Sequence, residues 1–226
     1  MIPFQLSGAI VLSILAGASV ATAAAAKPLT LVQLWRLDAI YRDTRHGVTF
    51  RYPSVWKAET QFGYHAPALS EAELKPIAGF GYEEGGFPRD GAVGPYSATN
   101  LEGVGIVYSA QPTDKISACR SMAAGIAGSA SYKTVRLGGR LFSLYATGEA
   151  GMSQFVAGDL YATYADHTCF LFETSVAAAS AKDNDVQELT AEEDQYIAAH
   201  MLSIMKTVRI VRPRARRGDR EIKRKR

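Results

Sequence analysis

The chain has 226 residues, 47% hydrophobic and 21% charged, with a formal net charge of +3. That is enough apolar material for one domain with a real core. Two cysteines and no Cys-x-x-Cys pair argue against thioredoxin-like redox chemistry and against tetrahedral zinc.

Residues 1–26, MIPFQLSGAIVLSILAGASVATAAAA, contain no Lys, Arg, Asp or Glu. An apolar stretch over 9–20 followed by small residues predicts a secretory signal cut after Ala23 or Ala26, although the usual basic start is missing. The alternative is an uncleaved anchor, since residues 10–26 are almost long enough to span a bilayer. With the signal removed, no later run approaches the ~18 apolar residues of a span. The expectation is an exported protein, periplasmic or extracellular.

Residues 27–45 read as a lead-in, with Leu31, Leu34, Trp35 and Ile40 suggesting a short helix or an extended segment. His46-Gly47 then turns into Val48-Thr49-Phe50-Arg51-Tyr52, whose period-two alternation predicts a half-buried strand. Pro53 and Ser54 end it, and Trp56 stands at the corner. Residues 61–66 predict a second strand antiparallel to the first, and 70–74 one helical turn. Residues 79–100 are rich in Gly and Pro and predict a long loop. Its aromatics Phe80, Tyr82, Phe87 and Tyr96 are candidates to line a cleft or to pack the loop down.

Residues 104–109 predict a strand. Asp114 is placed to cap a helix whose Ile116, Cys119, Met122, Ala123 and Ile126 form one apolar stripe. Three strand pairings follow: 132–135 through Gly138-Gly139 into 140–148, then 155–165, then 169–176. The short turns make this run an antiparallel meander. Thr190-Ala191-Glu192-Glu193 is a capping box opening a helix to about residue 208.

The strand at 169–176 is apolar on both faces, with Phe170, Phe172 and Val176 on one side and Cys169 and Leu171 on the other. Both faces therefore need covering. Cys119 and Cys169 form an even pair, which in an oxidising compartment reads as a disulfide, the alternative being two buried thiols. The bridge would hold the middle helix on one face and leave the last helix for the other. The expected fold is α+β, an α/β/α sandwich around an antiparallel sheet, over residues 46–211.

Residues 212–226 form a basic tail, carrying Arg212, Arg214, Arg216, Arg217, Arg220, Lys223, Arg224, Lys225 and Arg226. Nine bases against Asp219 and Glu221 give it +7, which leaves −4 for the rest of the chain. Repulsion and the shortage of apolar residues predict disorder. Such a tail attracts anionic lipid or an envelope polymer with low specificity and steep salt dependence. The plain alternative is a solubilising end. Arg217-Gly218-Asp219 is read as a chance tripeptide.

The segment Gly47-Val48-Thr49-Phe50-Arg51-Tyr52-Pro53-Ser54-Val55-Trp56-Lys57 resembles the opening strand of PsbP-like proteins, Gly-Val/Ile-Ser/Thr-Phe-x-Tyr-Pro-x-x-Trp. The order of elements over residues 46–211 is also similar. The resemblance implies an α/β/α sandwich that binds or assembles rather than catalyses. The chain has no lipobox cysteine near the signal cut, and nothing in it points to a photosystem role.

No catalytic set, metal site or cofactor is expected. The histidines, His46, His65, His167 and His200, form no close ligand pair. Gly151-Met152-Ser153-Gln154-Phe155 lacks the second glycine of a nucleophile elbow. Gly79-Phe80-Gly81 followed by Gly85 misses the spacing of a phosphate loop. Glu83-Glu84 is expected to be solvated, and Glu192-Glu193 is explained by a helix N-terminus. The expected function is a non-enzymatic exported binding or assembly domain, with a protein partner also open. The alternatives are an envelope hydrolase without a recognisable motif and an accessory subunit of a larger complex.

Overall fold

A computed structural model describes residues 29–58, 68–69, 74–84, 94–151 and 153–211. The expected signal segment, the strand expected over residues 61–66, most of the helical turn expected over 70–74, Phe87, His65 and the basic tail lie outside them. Helix α1, Leu31–Trp35, is opened by a capping box in which Thr30 and Gln33 satisfy each other's backbone donors. Strands β1, Ala39–Asp43, and β2, Val48–Tyr52, follow. After them come β3, Lys57–Ala58, β4, Ala78–Glu83, and β5, Leu101–Pro112.

Helix α2, Ile116–Ile126, precedes four strands in succession: β6, Lys133–Leu137, β7, Arg140–Gly151, β8, Gln154–Ala165, and β9, Thr168–Ala179. The short helix α3, Ala181–Asn184, leads to α4, Ala191–Lys206, and to β10, Arg209–Ile210.

Seven strands form one sheet in the order β3-β4-β5-β9-β8-β7-β6, and β1-β2-β10 form a second. Every pairing between these strands is antiparallel. The meander from β6 to β9 has the expected order, but residues 148–151, expected as the turn into the third strand, continue β7 and pair with β8. Gly138 and Gly139 both have positive φ, 58° and 85°, which a two-residue hairpin of primed type requires. Asp166 and His167 make the corresponding turn between β8 and β9, with φ of 46° and 59°.

Central strands β5 and β9 separate two apolar clusters. Cys169 and Leu171 of β9 and Val107 of β5 pack with Cys119 and Ala123 of α2. Cys119 and Cys169 are disulfide-bonded, with Cα atoms 5.2 Å apart. The bond suggests an oxidising, exported compartment. Phe170 and Phe172 of β9 and Tyr108 of β5 belong to the other cluster, with Ile197, Met201, Ile204 and Met205 of α4. The second sheet also meets this side. Phe50 of β2 lies 6.3 Å from Phe172, and Tyr41 of β1 lies 6.2 Å from Tyr108.

Several expectations are corrected. This face carries a small sheet where a helix alone was expected. Residues 27–45 are no mere lead-in, because Leu34 and Trp35 are buried and β1 is the full-length partner of β2. The fold therefore starts before residue 46. The partners of β2 are β1 and β10, so the strand following it in sequence does not pair with it.

The start of the expected long loop over 79–100 is β4, held between β3 and β5. Its glycines suggested a loop, yet Gly79, Phe80 and Gly81 are all buried where β4 pairs with β5. Asp114 does not cap α2. Lys115 occupies the N-cap without a side-chain hydrogen bond.

Candidate anion-binding site

The outward face of the small sheet carries the site. In β1 and β2 the residues alternate, so Tyr41, Val48 and Phe50 enter the core while Ile40, Arg42, Thr49 and Arg51 face out. The register sets Arg42 of β1 opposite Thr49 of β2, and Thr49 opposite Arg209 of β10. Paired residues in an antiparallel sheet share a face, so Arg42, Thr49 and Arg209 form one row. Its two arginines stand about 10 Å apart, two strand spacings. Arg51 stands opposite Ile40 in the next row but one along β2.

The end of α4 closes one side. Thr207 follows the helix, and its hydroxyl donates to the Ile204 carbonyl at 2.7 Å and accepts from the Arg51 amide at 2.8 Å. The result is a cleft of about 350 Å³ lined by Arg42, Arg51, Lys206 and Arg209 together with Ile40, Thr49, Phe50 and Thr207. No carboxylate is among the described residues of this lining. The ion pairs found among the described residues, Arg36 with Asp38 and His46 with Asp43, involve none of the four cations.

Two of these cations also serve the helix. Lys206 lies in the last turn of α4, and Arg209 donates through one nitrogen to the Lys206 and Val208 carbonyls, each at 2.9 Å. Both complement a helix C-terminus. Arg42 and Arg51 have no such duty, apart from an Arg51 contact to the Leu37 carbonyl at the 3.5 Å limit. All four side chains belong to exposed residues. At physiological ionic strength the screening length is about 8 Å, shorter than the spacing of Arg42 and Arg209, so these exposed cations act together only on a group seated between them.

Other candidates from the sequence are distributed differently. Phe80 and Tyr96 are 7% and 3% exposed and belong to the core, so they do not line an open cleft. Phe80 stacks on Tyr52 with centroids 4.0 Å apart. Tyr82 donates its hydroxyl to Glu84 at 2.6 Å. Glu84 is buried, against the expectation of a solvated residue, while Glu83 is exposed as expected. Glu193 completes the capping box of α4 by accepting from the Thr190 amide at 2.8 Å.

His46 pairs with Asp43 at 2.6 Å, His200 packs 5.0 Å from Trp35, and His167 is a turn residue. Ser153 sits in the hairpin between β7 and β8 with a φ of 63°. Among the described residues no three His, Cys, Asp or Glu side chains are grouped to hold a metal ion.

Sequence reasoning placed Thr49 and Arg51 on a polar strand face but assigned no function to Arg42, Lys206 or Arg209. The usable signal was the alternation in β1. It was masked because Ile40, an apolar residue, faces out at 42% exposure.

No family model matches the sequence, and no curated protein matches it. Solved structures resemble it at low identity. A Bacteroides thetaiotaomicron VPI-5482 structure is 12% identical over 81% of this chain, with a TM-score of 0.40. This chain spans 50% of that protein's length. LpqN of Mycobacterium tuberculosis, involved in cell envelope biogenesis, is 15% identical, with 73% of this chain and 83% of LpqN covered and a TM-score of 0.42. The Ran-binding protein Mog1p of Saccharomyces cerevisiae is 12% identical, with coverage of 76% and 95% and a TM-score of 0.39. These likenesses are too distant to carry a functional argument.

Proposed function

We propose that this chain is an exported, non-enzymatic binding or assembly domain of PsbP-like type that attaches to anionic surfaces or polymers outside the cytoplasm. In this reading the fold is an α/β/α sandwich working in the periplasm or outside the cell, and residues 212–226 supply electrostatic attachment. One observation carries the reading. The basic tail follows directly on β10, whose Arg209 already belongs to a cleft of four cations with no carboxylate among the described residues of its lining. Arg209 of the cleft thus stands three positions before the tail's first arginine in sequence, and the residues outside the tail are net negative.

The test is co-sedimentation with phosphatidylglycerol and phosphatidylcholine vesicles across a salt series. Intact protein is compared with protein lacking residues 212–226. Binding to the anionic vesicles alone, steeply reduced by salt and weakened at least tenfold by the deletion, is the expected result. Each basic residue near an anionic membrane contributes about 1 kcal/mol, so nine give room for a large loss. Equal binding to both vesicle types, or none by intact protein, would overturn the reading.

A further inference from the structure

We infer that the cleft on the small sheet is a binding site for a phosphate group. The inference rests on the reading of this chain as an anion binder and names the chemical group bound. Three features of the cleft point to phosphate. The first is charge. Four cations stand in the lining with no acid among its described residues, and a phosphate answers them with close to two negative charges as a monoester or one as a diester.

The second is geometry. Arg42, Arg51 and Arg209 rise from three strands on one sheet face and Lys206 from the end of α4, so the donors come from four separate backbone positions. A tetrahedral group with three or four oxygens accepts from several directions, while a carboxylate offers two oxygens in one plane. Arginine is the side chain whose planar fork fits phosphate oxygens best.

The third is size. A cleft of about 350 Å³ is at the small end of ligand sites, which run from about 300 to 1,000 Å³. Thr49 lies between Arg42 and Arg209 on the floor of the row, where its hydroxyl is available to a seated oxygen. The chain's own tail is not the occupant, because its +7 charge is repelled by the same cations.

The full chain, labelled for amide NMR, is titrated at constant ionic strength with inorganic phosphate, with glycerol 3-phosphate, and with chloride as control. It is also assayed on phosphatidylglycerol vesicles. Phosphate and glycerol 3-phosphate are expected to shift the amides of Arg42, Thr49, Arg51 and Arg209, and chloride is not.

Two variants of equal charge separate a site from bulk attraction. Arg42→Gln/Arg51→Gln is expected to weaken phosphate binding about tenfold or more, since hydrogen bonds to charged groups of this kind are worth about that much each. Lys133→Gln/Arg136→Gln, on β6, is expected to stay within about twofold. The two single variants, Arg42→Gln and Arg51→Gln, are read separately should the double variant melt early. Equal losses in both doubles, or shifts that avoid the row, overturn the site.

The arms also separate sources. Equal binding of free phosphate and glycerol 3-phosphate assigns the site to soluble phosphates. Binding seen only on vesicles, and lost in Arg42→Gln/Arg51→Gln, assigns it to a lipid headgroup. Vesicle binding that survives in that variant, with no phosphate shifts in the row, removes the site but leaves the tail reading standing. Phosphate bound in the row by a chain that ignores vesicles does the reverse.

Discussion

Two aspartates show how one residue type takes opposite roles under different surroundings. At Asp43 burial pushes the carboxyl up, but the His46 side chain and the amides of His46 and Arg45 outweigh it and hold the carboxyl below its ordinary range. At Asp159 burial dominates and raises the carboxyl, against a hydrogen bond from the Tyr161 hydroxyl and the charge of Lys133. The signs follow from linkage. Asp43 contributes stability that is present above the ordinary carboxylate value and is lost as pH falls through its depressed value. Asp159 carries a penalty that is absent below the ordinary value and fully present above its raised one. Thermal melts of Asp43→Asn at neutral pH are therefore expected below those of the parent, with the gap closing in acid. Asp159→Asn is expected to melt higher than the parent at neutral pH, with the gain vanishing in acid. Parallel curves for either variant would remove its carboxylate from the pH response.

Among the elements, α2 is fastened to β9 by a covalent bond as well as by packing. The cysteines are 50 residues apart, and in the chain-entropy model a loop of that size stabilises by about 4 kcal/mol. Reduction, or Cys119→Ala/Cys169→Ala, is expected to lower the melting temperature by several degrees at least. Equal melting with and without reductant would show that packing alone holds α2.

The β6–β7 hairpin gives a second case. A Cβ on Gly138 would collide with the Val208 carbonyl oxygen, at a φ of +58°. Backbone strain and a backbone clash act together there, so Gly138→Ala is expected to cost about 1–3 kcal/mol in denaturant melts. Gly139→Ala, with open space around it, is expected to cost less. A larger loss at Gly139 would contradict this assignment. This hairpin was legible in the sequence because Gly138-Gly139 separates two strand-like runs. Strand β4 was not, because glycines that read as flexible are packed in a sheet. Strand β1 was not, because its outward face carries Ile40.

At the scale of the molecule, the two-sided burial of β9 was readable from Cys169 to Val176, and it located both clusters before any coordinates. The second sheet was readable only at β2, since β1 carries Ile40 outward and β10 is two residues long and comes from a distant part of the chain. The cleft was lost with it. A site built from side chains that alternate along one strand leaves a local trace, whereas a row across three strands leaves none until the register is known. The tail, by contrast, is visible in composition alone.

The Arg51 amide and the Thr207 hydroxyl are 156 residues apart in sequence, and β10 pairs with β2 across a similar separation. Contacts of that range are slow to form, because the loop entropy must be met before any contact rewards it. Strand β10 is also the last of the described elements to be synthesised. The row of Arg42, Thr49 and Arg209 therefore has no existence in a nascent chain. The seven-stranded sheet contains its own strand partners and does not wait for β10. The row proposed to hold an anion is therefore completed only after every strand of the larger sheet has been synthesised.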